Sequence, residues 1–333
     1  MSTHRSRCLV TGGAGFIGSH VTDRLLALGH EVRVVDNLST GNRANLAHIE
    51  DRIDFQLGDL CKPADATKAV EGVDVIYHLA ALPSVPRSLK DPWGSHDANV
   101  NATVHLLQAA VKAGVRRVVY SSSSSVYGDT PELPKVESFE PLPRSPYAAS
   151  KLASEQYVLS YARGGLLEGV ALRYFNVFGP RQSPSSAYAA VIPLFMASAL
   201  DGRPATIFGD GEQTRDFTYI ANVVQANLLA GTRPAEIVSG YPVNVGAGDR
   251  TSLQQLATLI REVTGRPLVC ESVAPRAGDV RDSLAGLERT KRLLGYEVEV
   301  GLRDGLRKTW DWFQANASAE GGAARATPAA QVA

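Results

Sequence analysis

Tyr147 and Lys151 stand four residues apart in the segment SPYAASK. On a helix that spacing leaves about 40° of net rotation, so the phenol and the ammonium share one face, a turn apart. A cation beside a phenol favours the phenolate and draws its pKa down from about 10. Such a tyrosine exchanges a proton with a hydroxyl near neutral pH. A second group, Ser121 to Ser125, runs into Val126-Tyr127-Gly128. It follows an apolar run that reads as a strand, which puts the serines at the carboxyl edge where α/β sheets bind ligands. A third, Thr11-Gly12-Gly13-Ala14-Gly15-Phe16-Ile17-Gly18, lies between an expected strand and an expected helix. Glycines there allow a tight turn, close backbone approach to a pyrophosphate and close strand–helix packing, and the helix N-terminus adds partial positive charge. Asp36, with Asn37 after it, closes the next strand, where a carboxylate accepts from ribose hydroxyls and repels a 2′-phosphate. NAD is therefore expected in preference to NADP, with Arg43 the one nearby cation that could hold a 2′-phosphate.

Positioning these groups requires regular alternation of strands and helices. Strands are predicted over 8–11, 31–36, 53–58, 74–80, 117–122 and 170–175, with helices over 16–28, 63–71, 99–113 and 147–163 between them. In the third helix Val100, Val104, Leu107 and Val111 recur at steps of four, three and four. The fold class that follows is α/β, a doubly wound parallel (Rossmann-type) sheet with helices on both faces. Past residue 176 the rhythm loosens into helices at 187–200, 220–229, 253–263 and 302–315 among Gly- and Pro-rich loops, which reads as a second, smaller α/β lobe. The expected organisation is 1–175 for the dinucleotide, 176–316 mainly for the substrate, and 317–333 as a disordered tail.

Composition excludes several other functions. The 333 residues carry 34 Lys+Arg against 34 Asp+Glu, without the basic surplus a nucleic-acid binder needs. Cys8, Cys61 and Cys270 are too far apart for a CxxC site, and the seven histidines show no metal-ligand spacing, so no metal is expected and a reducing cytoplasm fits. No apolar segment reads as a signal or a membrane span.

The GxxGxxG spacing resembles the extended short-chain dehydrogenase/reductases, the branch that acts on nucleotide sugars. The resemblance implies that Asp59 and Leu60 reach the adenine, that Leu79, Ala80 and Ala81 line the cofactor, and that Asn99 and Phe175 help to place it. It also implies a catalytic triad of Ser123, Tyr147 and Lys151. Dehydratases of this branch carry an Asp–Glu pair before the VYG, and the glucuronate decarboxylases a Glu. Here both positions are serine, Ser124 and Ser125, which leaves oxidation and reduction at one carbon, hence 4-epimerisation.

Six segments in order, SVPRS, SSSSSVYGD, RYFNVFGPRQ, AYAAVIP, GDGEQTRDFTYI and GDVRDSLA, are similar to the bacterial UDP-N-acetylglucosamine 4-epimerases. The likeness implies that Asn176, Arg215 and Arg276 hold the diphosphate and Asp279 the uridine ribose. Ser84, Ser124, Ser125 and Gln182 then face the sugar, with a homodimer formed through a helical bundle. Ser283 falls where related enzymes place a tyrosine that restricts the pocket, so a serine leaves room for an N-acetyl group. UDP-GlcNAc and UDP-GalNAc are the expected substrates, with UDP-Glc and UDP-Gal possible in the same pocket. The alternative is a UDP-glucuronate 4-epimerase, although those enzymes typically place Thr where Asn176 stands. A decarboxylase, a dehydratase or a non-catalytic NAD-binding protein is less expected.

Overall fold

Consecutive residues of a strand face opposite sides of a sheet, and here both sides are apolar. Leu9/Val10, Val34/Val35, Ile76/Tyr77, Val118/Val119 and Val170/Ala171 are all buried, one member of each pair in each of two cores. Such a sheet must be covered by helices on both faces. The computed structural model, which describes residues 5–184, 189–275 and 280–320, shows that arrangement.

The strands are β1 (Arg7–Thr11), β2 (Glu31–Asp36), β3 (Asp54–Leu57), β4 (Val75–His78), β5 (Arg117–Ser123), β6 (Glu168–Tyr174), β7 (Val177–Phe178), β8 (Ala205–Phe208), β9 (Thr214–Arg215), β10 (Thr218–Tyr219), β11 (Tyr241–Val245), β12 (Thr251–Ser252) and β13 (Cys270–Val273). Seven of them form an all-parallel sheet in the order β11-β6-β5-β4-β1-β2-β3. The order reverses between β1 and β4, which is where such sheets bind ligands.

The helix that carries Tyr147 and Lys151 runs Pro146–Arg163. Its start is written in the sequence: Ser145 caps it by accepting from Ala148 N, and Pro146 occupies the first turn, where its missing N–H costs nothing. The helix that opens the glycine loop is Phe16–Ala27, and helix Ala102–Ala113 packs on the opposite face of the sheet.

Smaller strand pairs build the second lobe: β7 with β10, β9 with β12, and β8 with β13. Helices Val191–Asp201, Leu253–Thr264 and Leu302–Glu320 pack on one another beside them. The Leu253 helix opens with a reciprocal capping box between Ser252 and Gln255.

Several elements differ from expectation. The helix predicted from 99 begins as a π-helical turn over Asp97–Asn101, and Arg43–Arg52 forms a 3-10 helix. Val85–Lys90 and Pro92–His96 are short helices started by prolines. The helix predicted over 187–200 is described from Val191, and residues 187 and 188 lie outside the described ones. The last helix reaches Glu320, past the start of the expected tail. Strand β11, absent from the expectations, takes the main sheet beyond residue 175 and pairs with β6 along five residues.

Candidate active site

One cleft collects most of the residues singled out in the sequence. At one end is the glycine loop. Gly12 has φ of 66°, and a Cβ there would fall 2.8 Å from the Ala80 backbone. A Cβ at Gly18 would fall 2.2 Å from the Gly12 carbonyl oxygen. The first glycine thus lets the loop turn under the end of β4, and the third brings the helix against the loop. Gly12, Gly15, Phe16, Ile17 and Gly18 line the cleft at the positive end of helix Phe16–Ala27, an arrangement that fits a pyrophosphate.

Asp36 lines the same end and is 8% exposed. Ala14 N donates to its Oδ2 at 2.9 Å and Leu38 N to its Oδ1 at 2.8 Å. Burial raises its pKa, and these two bonds oppose the rise. Each oxygen keeps a lone pair for a ribose hydroxyl. Arg43 is turned to Glu50 and to the Phe55 ring, off the cleft wall, which leaves the acid unopposed and fits NAD rather than its 2′-phosphate. Asn37, Asp59, Leu60, Leu79, Ala80, Ala81 and Phe175 complete this half. Asn99 lies one layer behind the wall, accepting from Leu82 N at 2.8 Å and donating to Ser150 Oγ at 2.8 Å, so it braces the loop that follows β4 against the Tyr147 helix.

A buried relay explains how that loop is held. Thr11 Oγ1 accepts from Leu79 N and Ala80 N, both at 3.1 Å, so its own proton goes to His78 Nδ1 at 2.7 Å. His78 Nε2–H then donates to Thr103 Oγ1 at 2.9 Å, and Thr103 donates to the Asn99 carbonyl at 2.6 Å. This sequence of donors assigns the Nε2–H tautomer. Burial, with Lys151 nearby, lowers the His78 pKa to about 3, so the ring stays neutral.

In the middle of the cleft lie Ser123, Tyr147 and Lys151. Ser123 hydrogen-bonds Tyr147 and accepts from Ser125 Oγ at 2.9 Å. Lys151 is 2% exposed, with its Nζ 4.5 Å from the centre of the Tyr120 ring. One expectation is corrected here. The Tyr147 pKa is not drawn down as expected: burial raises it, and the bond with Ser123 opposes the rise. The lysine is itself pushed down to about 7 by burial, with Glu155 pulling the other way. Both groups share one dry pocket, where each charged form loses its hydration.

Ser84, Ser124, Ser125, Asn176, Gln182, Arg215 and Ser283 line the remaining cleft. Ser84 sits at φ of 126°, a strained conformation for a non-glycine residue and one that gathers at functional sites. Gln182 Nε2 donates to Val177 O at 3.1 Å and its Oε1 is buried without a partner, an acceptor left for a ligand. Asn176 Nδ2 donates to Asp216 O, and Arg215 Nη1 to the carbonyls of Thr214 and Arg281. Ser283 is 8% exposed. Arg276 and Asp279 lie outside the described residues. Sequence reasoning missed Arg181, although it quoted the GPRQ that contains it. At φ of 66° this residue lines the cleft and bonds Asp23, on the glycine-loop helix, at 2.7 Å.

Comparison with known proteins agrees with this geometry. The model of the NAD dependent epimerase/dehydratase family matches residues 8–246. The UDP-glucose 4-epimerase of Mycolicibacterium smegmatis is 43% identical over 313 residues, spanning 92% of this chain and 98% of its own. Among solved structures, the UDP-N-acetylglucosamine 4-epimerase from Methanobrevibacter ruminantium in complex with UDP-N-acetylmuramic acid is 38% identical with a TM-score of 0.88, covering 94% of this chain and 99% of its own. The UDP-glucose 4-epimerase from Thermotoga maritima, with UDP-glucose, is 37% identical with a TM-score of 0.89, covering 93% and 99%. With its glycine loop, its acid at the end of β2 and the cleft they share with Tyr147 and Lys151, the chain belongs to the NAD dependent epimerase/dehydratase family, as an isomerase of the UDP-sugar 4-epimerase kind.

Proposed function

We propose that the protein interconverts UDP-N-acetylglucosamine and UDP-N-acetylgalactosamine by inversion at C4. The observation that carries this reading is the make-up of the cleft wall at one turn of chain. Ser123 bonds Tyr147 beside Lys151, and the next two positions are serines, with no acid there to work at a second carbon. Ser283 supports the acetylated substrate, since its small side chain borders the same space.

In the proposed reaction Tyr147 takes the proton of the C4 hydroxyl, with Ser123 sharing the hydrogen bond, and later returns it. Bound NAD supplies reversible two-electron chemistry at C4. Lys151 would hold a ribose of the dinucleotide, and it favours the ionised phenol while it is itself cationic. Asn176 and Arg215 grip the diphosphate, about which the 4-keto sugar turns to present its other face. Ser84, Ser124, Ser125 and Gln182 offer hydrogen bonds in both orientations. A homodimer is part of the proposal, supported by Leu89, Trp93 and Tyr157, exposed apolar residues on three helices that pack together.

The test is a product assay. Purified protein given UDP-GlcNAc without added reductant is expected to form UDP-GalNAc, and to reach the same ratio from either side. Turnover of UDP-glucose or UDP-glucuronate alone overturns the N-acetyl reading and keeps the epimerase.

A further inference from the structure

Glu155 is fully buried behind the reacting groups, and nothing in the reaction above uses it. It lies on helix Pro146–Arg163 four residues after Lys151 and eight after Tyr147, on the same face. Its carboxylate is fully engaged. Ser122 Oγ donates to Oε2 at 2.6 Å, Arg173 Nε donates to Oε2 at 3.0 Å, and Arg173 Nη2 donates to Oε1 at 2.6 Å. Ser122 precedes Ser123 at the end of β5, and Arg173 lies on β6 three residues before Asn176. Arg173 also stacks on Tyr127 of the VYG turn, 4.8 Å from the ring centre. One carboxylate therefore joins the helix of Tyr147 and Lys151 to the strand of Ser123 and to the strand leading to Asn176.

A buried ion pair is poorly explained as a stability device, because apolar replacement of both partners is often neutral or better. Its geometric role is better supported, since three elements that carry the site meet on it. It also bears on charge. Among the described residues no carboxylate lies within ion-pair distance of Lys151. The groups around the lysine are the Tyr120 ring, Tyr147, neutral His78 and, one turn along, Glu155 with Arg173 behind it.

We propose that Glu155 is a positioning residue for the epimerase reaction, fixing Ser123 and Lys151 against Tyr147 and holding the lysine in its cationic form. The proposal rests on the triad reading given above. The ammonium exists below its pKa and is lost above it, so removing the negative charge should bring the alkaline limb of activity to lower pH.

The experiment compares wild type with Glu155→Gln, Arg173→Lys and Tyr147→Phe, each checked for folding by thermal melt, with kcat and KM followed across pH. Glu155→Gln is expected to lower kcat about tenfold or more with KM little changed, and to shift the alkaline limb down by roughly one pH unit. Arg173→Lys keeps the charge and loses the forked contact, so kcat falls while the limb stays. If Glu155→Gln does not fold, Arg173→Lys decides: a wild-type kcat there overturns the proposal. An unmoved limb with wild-type kcat per folded molecule in Glu155→Gln overturns it as well. Activity surviving in Tyr147→Phe removes the triad reading and this proposal with it. An inactive Tyr147→Phe beside an unaffected Glu155→Gln removes only the role of Glu155.

Discussion

A phenol in a dry pocket keeps its proton more tightly than one in water, so the proposed reaction requires a partner that makes its loss from Tyr147 tolerable. The partner in contact is Ser123, and the cation a turn away is Lys151. Tyr147→Phe removes only the hydroxyl. We expect kcat to fall about 10²–10⁴-fold while UDP-sugar binding, read by calorimetry, stays within a few-fold. Ser283→Tyr fills space without touching the triad. Its expected effect is selective: kcat/KM for UDP-GlcNAc drops about tenfold or more relative to UDP-glucose, measured with both substrates in parallel. The Tyr147–Lys151 pair was legible in the sequence because a helix turns fixed spacing into a shared face. Glu155 lies one more turn along that face, but its meaning depends on Ser122 and Arg173, brought to it by the sheet from 33 and 18 residues away.

At the scale of elements, Asp216 ties the second lobe together. Its carboxylate accepts from the backbone N–H groups of Ala247, Gly248 and Ala285 and lies 3.3 Å from Thr218 Oγ1, linking the β9–β10 turn to two distant loops. Burial raises its pKa to about 6, against the pull of those bonds. The folded state then binds a proton more readily than the unfolded chain between pH about 4 and 6. Stability from this group falls as pH rises through that window, by about 3 kcal/mol in all. Asp216→Asn does not titrate, and its amide turns N–H groups toward N–H donors. The variant is expected to melt several degrees below wild type at pH 7. The gap should widen at pH 4.5 as wild type gains, and thermal unfolding at the two pH values checks this. Elements with local signals, such as the Ser145-capped helix, were readable beforehand. The π-helical turn over Asp97–Asn101 was not, because its apolar residues keep the period of the helix it joins. Strand β11 is five residues long, and its place is set by β6, far back in the chain.

At the scale of the molecule, the proposed function rests on one cleft whose lining runs from the glycine loop and Asp36 to Asn176, Arg215 and Ser283. Among the described residues no helix is long and apolar enough to cross a membrane. Among the described residues the most exposed large apolar side chain is Trp93, at 82%, next to the helices of Leu89 and Tyr157. An aromatic so placed is the kind of anchor on which association depends. We expect Trp93→Glu to weaken self-association by tenfold or more, seen by sedimentation as a shift from dimer to monomer, with the melting temperature of the protomer nearly unchanged.

The pairing of β11 with β6 also sets a timetable for synthesis. The glycine loop and the first six strands leave the ribosome well before β11, which follows some 65 residues after β6. At about 5–20 residues per second the growing chain spends several seconds with β6 as a bare, apolar sheet edge, able to pair with a neighbouring nascent chain. Slow codons between 175 and 240 would lengthen that exposure.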